Sequence, residues 1–212
     1  EAGDNDKKYI SMESLENHLI DKENSIIKLL DPPFDKSKLE PGYIKAYIPG
    51  VRENGGQYTH AAMWAIIAFT KLGFGDKGLE YYRMINPIEH SRTKEAANKY
   101  KVEPYVISAD VYTQKNLAGR GGWTWYTGSS SWMYEAGIKY LLGLHIENGY
   151  LSIQQCIPSD WKEYSIKYKH GNSVYNIHVS NPNGKNNTVQ SFKLNGQEMP
   201  DKKIELNSAG GV

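Results

Sequence analysis

Hydrophobic and polar positions divide this chain into a helical first part and a strand-rich last part. Nearly every residue from 59 to 72 is apolar, which predicts a helix that is buried on all sides and ended by Gly73. Ser11 is expected to cap the first of the other helices. Start and stop signals predict these other helices over residues 12 to about 22, 76–85, 93–100 and 129–142. Four prolines between residues 31 and 50 predict a long irregular loop.

The pattern changes after residue 149. Short, often alternating segments separated by Gly, Asn and Pro predict strands over residues 150–153, 164–168, 174–179, 189–194 and 203–206. Residues 102–112 are apolar and fit either a helix or a strand. The predicted fold class is α+β multidomain, with a helical domain over residues 1–148 and an antiparallel β domain over residues 149–212.

Composition and charge exclude several classes of function. The 212 residues are 39% hydrophobic and 23% charged, which is ordinary for a soluble globular protein. With 25 Lys and Arg against 24 Asp and Glu, and with no dense basic cluster, nucleic acid is not an expected partner. No apolar run approaches the roughly 18 to 20 residues of a membrane span, so we expect no membrane contact in this segment.

Cysteine usage and the first residues bear on the origin of the chain. The single cysteine, Cys156, excludes an internal disulfide and fits a reducing compartment, so the expected localisation is cytoplasmic. The sequence starts at Glu1 without an initiator Met or a signal-type apolar region. We therefore expect a fragment of a longer protein.

Aromatic residues are unusual in kind, since 16 Tyr and 5 Trp accompany only 4 Phe. Tyr and Trp combine a flat apolar face with a polar edge, which suits a pocket that stacks on sugar rings. The same residues suit an amphipathic interface between layers, and composition alone does not separate the two readings.

Two glycine-opened helix starts carry the candidate chemistry. The first, around Gly55 and Gly56, groups a cation, a carboxylate, two amides and an imidazole: Arg52, Glu53, Asn54, Gln57 and His60. The second offers hydroxyls and stacking faces: Thr127, Gly128, Ser129, Trp123, Trp125 and Tyr126. Because a helix N-terminus carries unpaired N–H groups and partial positive charge, both turns are suited to hold an anion. The alternative for the first turn is an ordinary capped turn in which His60 makes one hydrogen bond inside the fold. The alternative for the second turn is a hydrophobic plug with a capped helix.

Other chemistries find less support in the residues. Glu103 and Asp110 are candidate carboxylates, although a Glu before Pro is more often structural. The histidines lack the i, i+4 and Cys/His spacings of metal sites, so no metal is expected. Ser129 is not part of a Gly-x-Ser-x-Gly elbow, and Cys156 has no evident base, so no nucleophile is expected.

Several long motifs recur in order and resemble the C-terminal portion of glycoside hydrolase family 94. That family holds the inverting β-glucoside phosphorylases and the phosphorylase-like end of cyclic β-1,2-glucan synthases, and the long form of the motif is most similar to the β-1,2-glucan branch. The resemblance extends from about residue 12 to residue 179. The motifs that carry it are Gly42-Tyr43-Ile44-Lys45, Pro49 to Ala62, Val102-Glu103-Pro104-Tyr105-Val106 and Gly119 to Gly128.

The resemblance implies the last helices of an α/α six-barrel followed by a β-sandwich. It implies reversible cleavage of a β-glucosidic bond by inorganic phosphate with inversion at the anomeric carbon. His60, Thr127 and Gly128 match its phosphate-binding positions, Glu53 matches a sugar-contacting one, and Arg52 stands where other members have Lys. The implied partners are a β-glucan oligosaccharide, phosphate as co-substrate without any cofactor, the N-terminal part of the same protein, and a second copy, since members often pair as dimers.

The general acid of the family is an Asp in an Asp-Trp-Asn-Asp-like motif that precedes the region matched here. No such motif occurs in these residues, and Asp160-Trp161 is only a superficial echo of it. We therefore expect the phosphate half of an active site and an inactive isolated chain. The alternative from another class is a non-catalytic carbohydrate-binding or assembly module.

Overall fold

The computed structural model describes residues 5–38, 40–125, 127–185 and 187–210. The chain combines helices with several small antiparallel sheets and is therefore α+β. It forms two compact units, one of residues 1–68 and 80–134 and the other of residues 69–79 and 135–212. Among the described residues, no helix is long and apolar enough to cross a membrane.

The helices follow the predicted order with shifted ends. They are α1 (Asn5–Leu19), α2 (Thr59–Lys71), α3 (Gly75–Met84), α4 (Pro87–His90), α5 (Lys94–Tyr100) and α6 (Ser129–Glu135). A π-helical segment, Ala136–Leu141, continues α6. The short helices have local caps, because the Asn86 side chain accepts the Ile88 N–H at 2.9 Å and the Thr93 hydroxyl accepts the Ala96 N–H at 3.1 Å. A 3₁₀ helix, Gly42–Ala46, interrupts the Pro-rich loop.

Short antiparallel strand pairs organise the first unit. Strand β1 (Ile20–Asp21) pairs with β2 (Ile26–Ile27), and β3 (Gln57–Tyr58) pairs with β4 (Asp110–Val111). Residues 121–123 extend the second pair, because Val111 and Gly121 form a further antiparallel bridge. Strand β4 therefore lies between the two glycine-opened turns that the sequence separates by some 65 residues. A buried cluster of Ile26, Tyr100 and Val111 packs against this region.

The second unit carries the longer strands. They are β5 (Leu144–Glu147), β6 (Tyr150–Ile153), β7 (Glu163–His170), β8 (Ser173–Ser180), β9 (Lys193–Leu194), β10 (Gln197–Glu198) and β11 (Lys203–Glu205). The first sheet has the order β11-β6-β5, while β7 pairs with β8 and β9 with β10. Leu151, Tyr175 and Ile204 form the buried core of this unit. The predicted domain boundary at residue 148 falls in the β5–β6 turn, where Asn148 and Gly149 both have positive φ.

Three sequence expectations about the elements are wrong. Helix α1 starts well before residue 12, and Ser11 lies inside it, where its hydroxyl donates to the Lys7 carbonyl at 2.7 Å instead of capping. Helix α2 is not buried on every face, because the Trp64 side chain is 49% exposed. Of residues 189–194, only Lys193–Leu194 form a strand.

His90 lies in the first unit with its ring stacked on Tyr100, at 4.8 Å between centroids and 9° between planes. Its Nε2 atom is buried and accepts or donates no hydrogen bond among the described residues. Burial and, less strongly, the Lys99 charge lower the pKa of His90 from 6.5 to about 4. The folded state therefore holds a neutral imidazole at pH 7.

Acidification should destabilise the first unit through this imidazole. The pKa of His90 is lower in the folded chain than in the unfolded chain. The stability that depends on neutral His90 is therefore fully present above pH 6.5 and is lost as the pH falls toward 4. We expect the free energy of unfolding to fall by about 2 kcal/mol between pH 7 and pH 5 from this group. His90→Phe keeps the stack on Tyr100 and should remove that part of the pH dependence in urea unfolding. An identical pH dependence in His90→Phe would contradict the assignment.

Candidate anion-binding site

The first turn leads directly into α2 and fixes the His60 side chain. The Thr59 N–H donates to the Ala109 carbonyl at 2.9 Å, which anchors the first residue of α2 beside β4. The His60 ring stacks on Tyr58, with 5.0 Å between centroids and 21° between planes. Its Nδ1 atom is buried without a hydrogen-bond partner in the described part of the chain. Burial lowers the pKa of His60 below 6.5, so the imidazole is mostly neutral at pH 7.

The second turn places a hydroxyl pair at the start of α6. Thr127 Oγ1 accepts the Ser129 N–H at 3.2 Å and lies 2.9 Å from Ser129 Oγ. The Ser129 side chain is fully buried, whereas Thr127 is half-buried and Gly128 is exposed. When the buried Ser129 hydroxyl donates to Thr127, the Thr127 hydroxyl keeps its own proton for a partner outside the helix.

The two turns meet at His60 and Gly128. A Cβ atom at Gly128 would lie 3.2 Å from His60 Nε2, so the ring nitrogen faces the backbone of the second turn. One helical turn further along each helix, Trp64 and Trp132 pack edge to face with 5.7 Å between ring centroids. The first turns of α2 and α6 therefore lie next to each other. Because Gly128 has no side chain, His60 Nε2 remains accessible from this side. A side chain at position 128 would restrict access to the nitrogen.

Arg52 and Glu53 lie on the tight turn before β3. Arg52 has a positive φ of 48°, and its guanidinium lies 5.7 Å from the Tyr47 ring and 5.2 Å from the Trp123 ring. These two cation–π contacts hold an Arg in a fixed place beside the second turn. Glu53 Oε2 is buried and finds no hydrogen-bond partner within the described ranges. A buried carboxylate oxygen without a donor is suited to accept from a ligand hydroxyl.

Asp110, the first residue of β4, is bonded to the second turn and is paired with Tyr58 of β3. Its Oδ1 accepts the Trp123 N–H at 2.8 Å, and its main-chain carbonyl accepts the Gly122 N–H at 2.9 Å. Burial raises the pKa of Asp110, and the Trp123 N–H and the Arg52 charge partly oppose this effect. The sequence suggested Asp110 only as a candidate carboxylate. The structure shows that Asp110 also links strand β4 to the second turn, which the sequence did not indicate.

The two predicted amides serve the fold rather than a ligand. Asn54 Oδ1 accepts the Phe34 N–H at 2.7 Å, and Asn54 Nδ2 donates to the Tyr47 carbonyl at 2.9 Å and the Phe34 carbonyl at 3.2 Å. Gln57 Oε1 accepts the Ile27 N–H at 3.0 Å, and Gln57 is likewise buried. Gln57 Nε2 donates to the Thr59 hydroxyl at 3.3 Å, so the polar atoms of both amides are already paired within the fold.

The other residues that the sequence suggested for chemistry have different outcomes. Glu103 Oε1 accepts the Trp125 indole N–H at 3.1 Å, which makes Glu103 a partner of the aromatic side chain. Tyr126, a predicted stacking face, lies outside the described residues. Burial raises the pKa of the Cys156 thiol to about 11, so it is not a reactive thiolate. In the described part of the chain, no three His, Cys, Asp or Glu side chains converge as metal ligands would.

The structure thus brings an imidazole, a hydroxyl and an exposed glycine backbone together at the starts of α2 and α6, and these are groups that bind anions in many proteins. Residues 1–143 match the model of the glycosyl hydrolase 94 superfamily, catalytic domain. The chain belongs to this superfamily, and its family resemblance is confirmed.

Similar proteins include a glucan synthase and several phosphorylases. The chain is 44% identical over 178 residues to the cyclic β-(1,2)-glucan synthase NdvB of Rhizobium meliloti (strain 1021), a match that covers 84% of this chain and 6% of that protein. It is 32% identical over 190 residues to the N,N'-diacetylchitobiose phosphorylase of Vibrio proteolyticus, with 88% and 23% covered. The solabiose phosphorylase of Paenibacillus borealis is 28% identical over 177 residues, with 80% and 22% covered. The chain thus spans less than a quarter of each of these relatives.

Proposed function

We propose that this chain supplies the phosphate-binding part, and some of the sugar-binding part, of an enzyme that reversibly cleaves β-glucosidic bonds with inorganic phosphate and inversion. His60, Thr127 and Gly128 bind phosphate, and Glu53 and Arg52 contact the sugar. The observation that carries the proposal is the approach of His60 Nε2 to the Gly128 backbone, with the Thr127 hydroxyl next to it. Three different kinds of donor then lie close together beside the exposed Gly128 backbone.

The chemistry of phosphorolysis fits these donors. An inverting hydrolase needs a second carboxylate to activate water, whereas phosphate arrives as a charged nucleophile. The site has to position that charge and neutralise part of it, which hydroxyl, backbone and imidazole donors do without a metal or cofactor. Phosphate is then the co-substrate, and the anionic oxygen that faces the sugar is the attacking atom.

Glu53 and Arg52 supply the complementary polarity for the sugar. The unpartnered Glu53 Oε2 can accept from a sugar hydroxyl, which would satisfy its remaining lone pairs. Arg52, held between Tyr47 and Trp123, places positive charge beside the same turn. The Arg52 charge also opposes the negative charge of Asp110, which reduces the repulsion of an incoming phosphate.

The proposal assigns the general acid to sequence outside these 212 residues. The helices of residues 1–148 would complete an α/α six-barrel with further helices of the same protein, and residues 149–212 would form part of a β-sandwich. The isolated chain is then catalytically inactive, with phosphate and a β-glucan oligosaccharide as its ligands in the cytoplasm. A second copy of the whole protein is the proposed oligomeric partner.

A joint titration of phosphate and sugar tests the proposal. We expect phosphate to strengthen binding of a β-1,2-linked glucose disaccharide, measured by calorimetry, because the two ligands occupy adjoining parts of one site. Thr127→Val removes the hydroxyl at nearly constant volume and should weaken phosphate binding about tenfold, whereas Thr127→Ser should keep it within about threefold. Sugar binding that is indifferent both to phosphate and to His60→Ala would instead identify a non-catalytic carbohydrate-binding module.

A further inference from the structure

Trp125 is an exposed aromatic side chain on a strained backbone. It leaves 56% of its surface exposed and has a φ of 58°, in the left-handed region that bulky residues rarely adopt. Strain of this kind persists only where surrounding contacts enforce it, and it concentrates at ligand sites. The contact that holds the side chain is the hydrogen bond from its indole N–H to Glu103 Oε1 at 3.1 Å.

This hydrogen bond leaves the face of the indole available while its polar edge is already satisfied. A ring fixed in this way loses little rotamer freedom when a ligand stacks on it. Trp123, two residues earlier, is also exposed, but the Arg52 guanidinium lies 5.2 Å from its ring centroid and occupies one face. Of these two indoles, Trp125 is therefore the better stacking surface.

Trp125 also lies within reach of the proposed phosphate position. Trp125 and Thr127 are two positions apart in the chain, so their Cα atoms are separated by at most about 7 Å. A pyranose ring that stacks on the indole would therefore lie near the chain segment that carries the Thr127 hydroxyl. The Glu103 carboxylate lies at the polar edge of the indole, and an apolar ring face beside a carboxylate fits a sugar with one apolar face and a rim of hydroxyls.

We propose that the Trp125 indole, held in place by Glu103, is a stacking platform for one pyranose ring of the β-glucan beside the phosphate. This inference rests on the proposed function, and it adds a sugar-binding surface to the Arg52 and Glu53 turn. Glu103 acts through Trp125 and is a positioning residue. Its own carboxylate need not touch the sugar.

Calorimetry with the β-1,2-linked glucose disaccharide at saturating phosphate tests the platform. Trp125→Ala should weaken sugar binding about tenfold, and Trp125→Phe, which keeps a flat ring, should weaken it by at most about threefold. The loss of sugar affinity in Glu103→Ala should lie between the losses in these two variants. Glu103→Gln keeps an oxygen acceptor for the indole N–H and should bind the sugar as the wild type does. All four variants should bind phosphate with unchanged affinity.

Tyr134→Ala is the matched control, because Tyr134 is an aromatic residue that is 71% exposed and lies away from both turns in sequence. Its sugar affinity should not change. Wild-type phosphate binding together with a sugar affinity that Trp125→Ala leaves unchanged would overturn the platform alone. Failure of the wild type to bind phosphate would instead contradict the proposed function. Circular dichroism of each variant identifies a loss of fold.

Discussion

His60→Ala should weaken phosphate binding by about 30-fold to 100-fold. The expected loss follows from removing a hydrogen bond between a ring nitrogen and a charged oxygen, which contributes about 2 to 3 kcal/mol in a partly buried site. His60→Gln retains a side-chain N–H donor and should recover part of the affinity. Calorimetric titration with inorganic phosphate measures all three proteins. A His60→Ala variant that binds phosphate as tightly as the wild type would refute the role of the imidazole.

The same variant should also change the pH dependence of phosphate binding. Burial lowers the pKa of His60, so the free imidazole is neutral at pH 7, whereas a bound anion favours the imidazolium and raises its pKa. Binding then takes up protons, and wild-type affinity should increase as the pH falls toward 6. Titration of phosphate itself contributes equally to wild type and variant. The difference between their pH profiles therefore isolates His60.

Gly122→Ala should lower the free energy of unfolding by about 3 kcal/mol. A Cβ atom at Gly122 would lie 2.4 Å from Asp110 Oδ2 and 2.6 Å from Oδ1, distances that a folded protein does not tolerate. The carboxylate is buried and bonded to the Trp123 N–H, so it cannot turn away without losing that bond. Urea unfolding measures the change. A loss below about 1 kcal/mol would show that the turn adapts.

A double variant checks the steric explanation for Gly122. Asp110→Ala removes the carboxylate and with it the clash, so Asp110→Ala/Gly122→Ala should be less destabilised than the two single changes added together. Additive losses would place the effect of Gly122→Ala elsewhere. Asp110→Ala alone should also be destabilising, because it leaves the Trp123 N–H without its acceptor.

Local signals in the sequence were sufficient for most elements. The Asn195-Gly196 turn has φ values of 48° and 85°, as a two-residue hairpin loop of that composition requires, and Gly73 has the positive φ of a helix C-cap. Helix α5 (Lys94–Tyr100) lies within the predicted range 93–100, and Thr93 caps it. These features depend on residues within a few positions of each other, so they can be predicted from a single sequence.

Long-range pairing could not be predicted in the same way. Strands β3 and β4 have two residues each, too short for any periodicity, yet their pairing brings the turn before His60 next to Asp110. Asn54 and Gln57 had the composition of ligand-binding amides, and only tertiary contacts show that Phe34 and Ile27 use them. The aromatic pair of Trp64 and Trp132 likewise depends on the tertiary approach of the first turns of α2 and α6.

The most direct test of the account is the ¹⁵N chemical shift of the His60 imidazole during a phosphate titration. If phosphate binds between Nε2 and the Gly128 backbone, the Nε2 resonance should move saturably, with the same dissociation constant as calorimetry gives and with a smaller response in Thr127→Val. Calorimetric phosphate binding that leaves both His60 ring nitrogens unmoved would contradict the account, because the anion would then lie elsewhere on the chain.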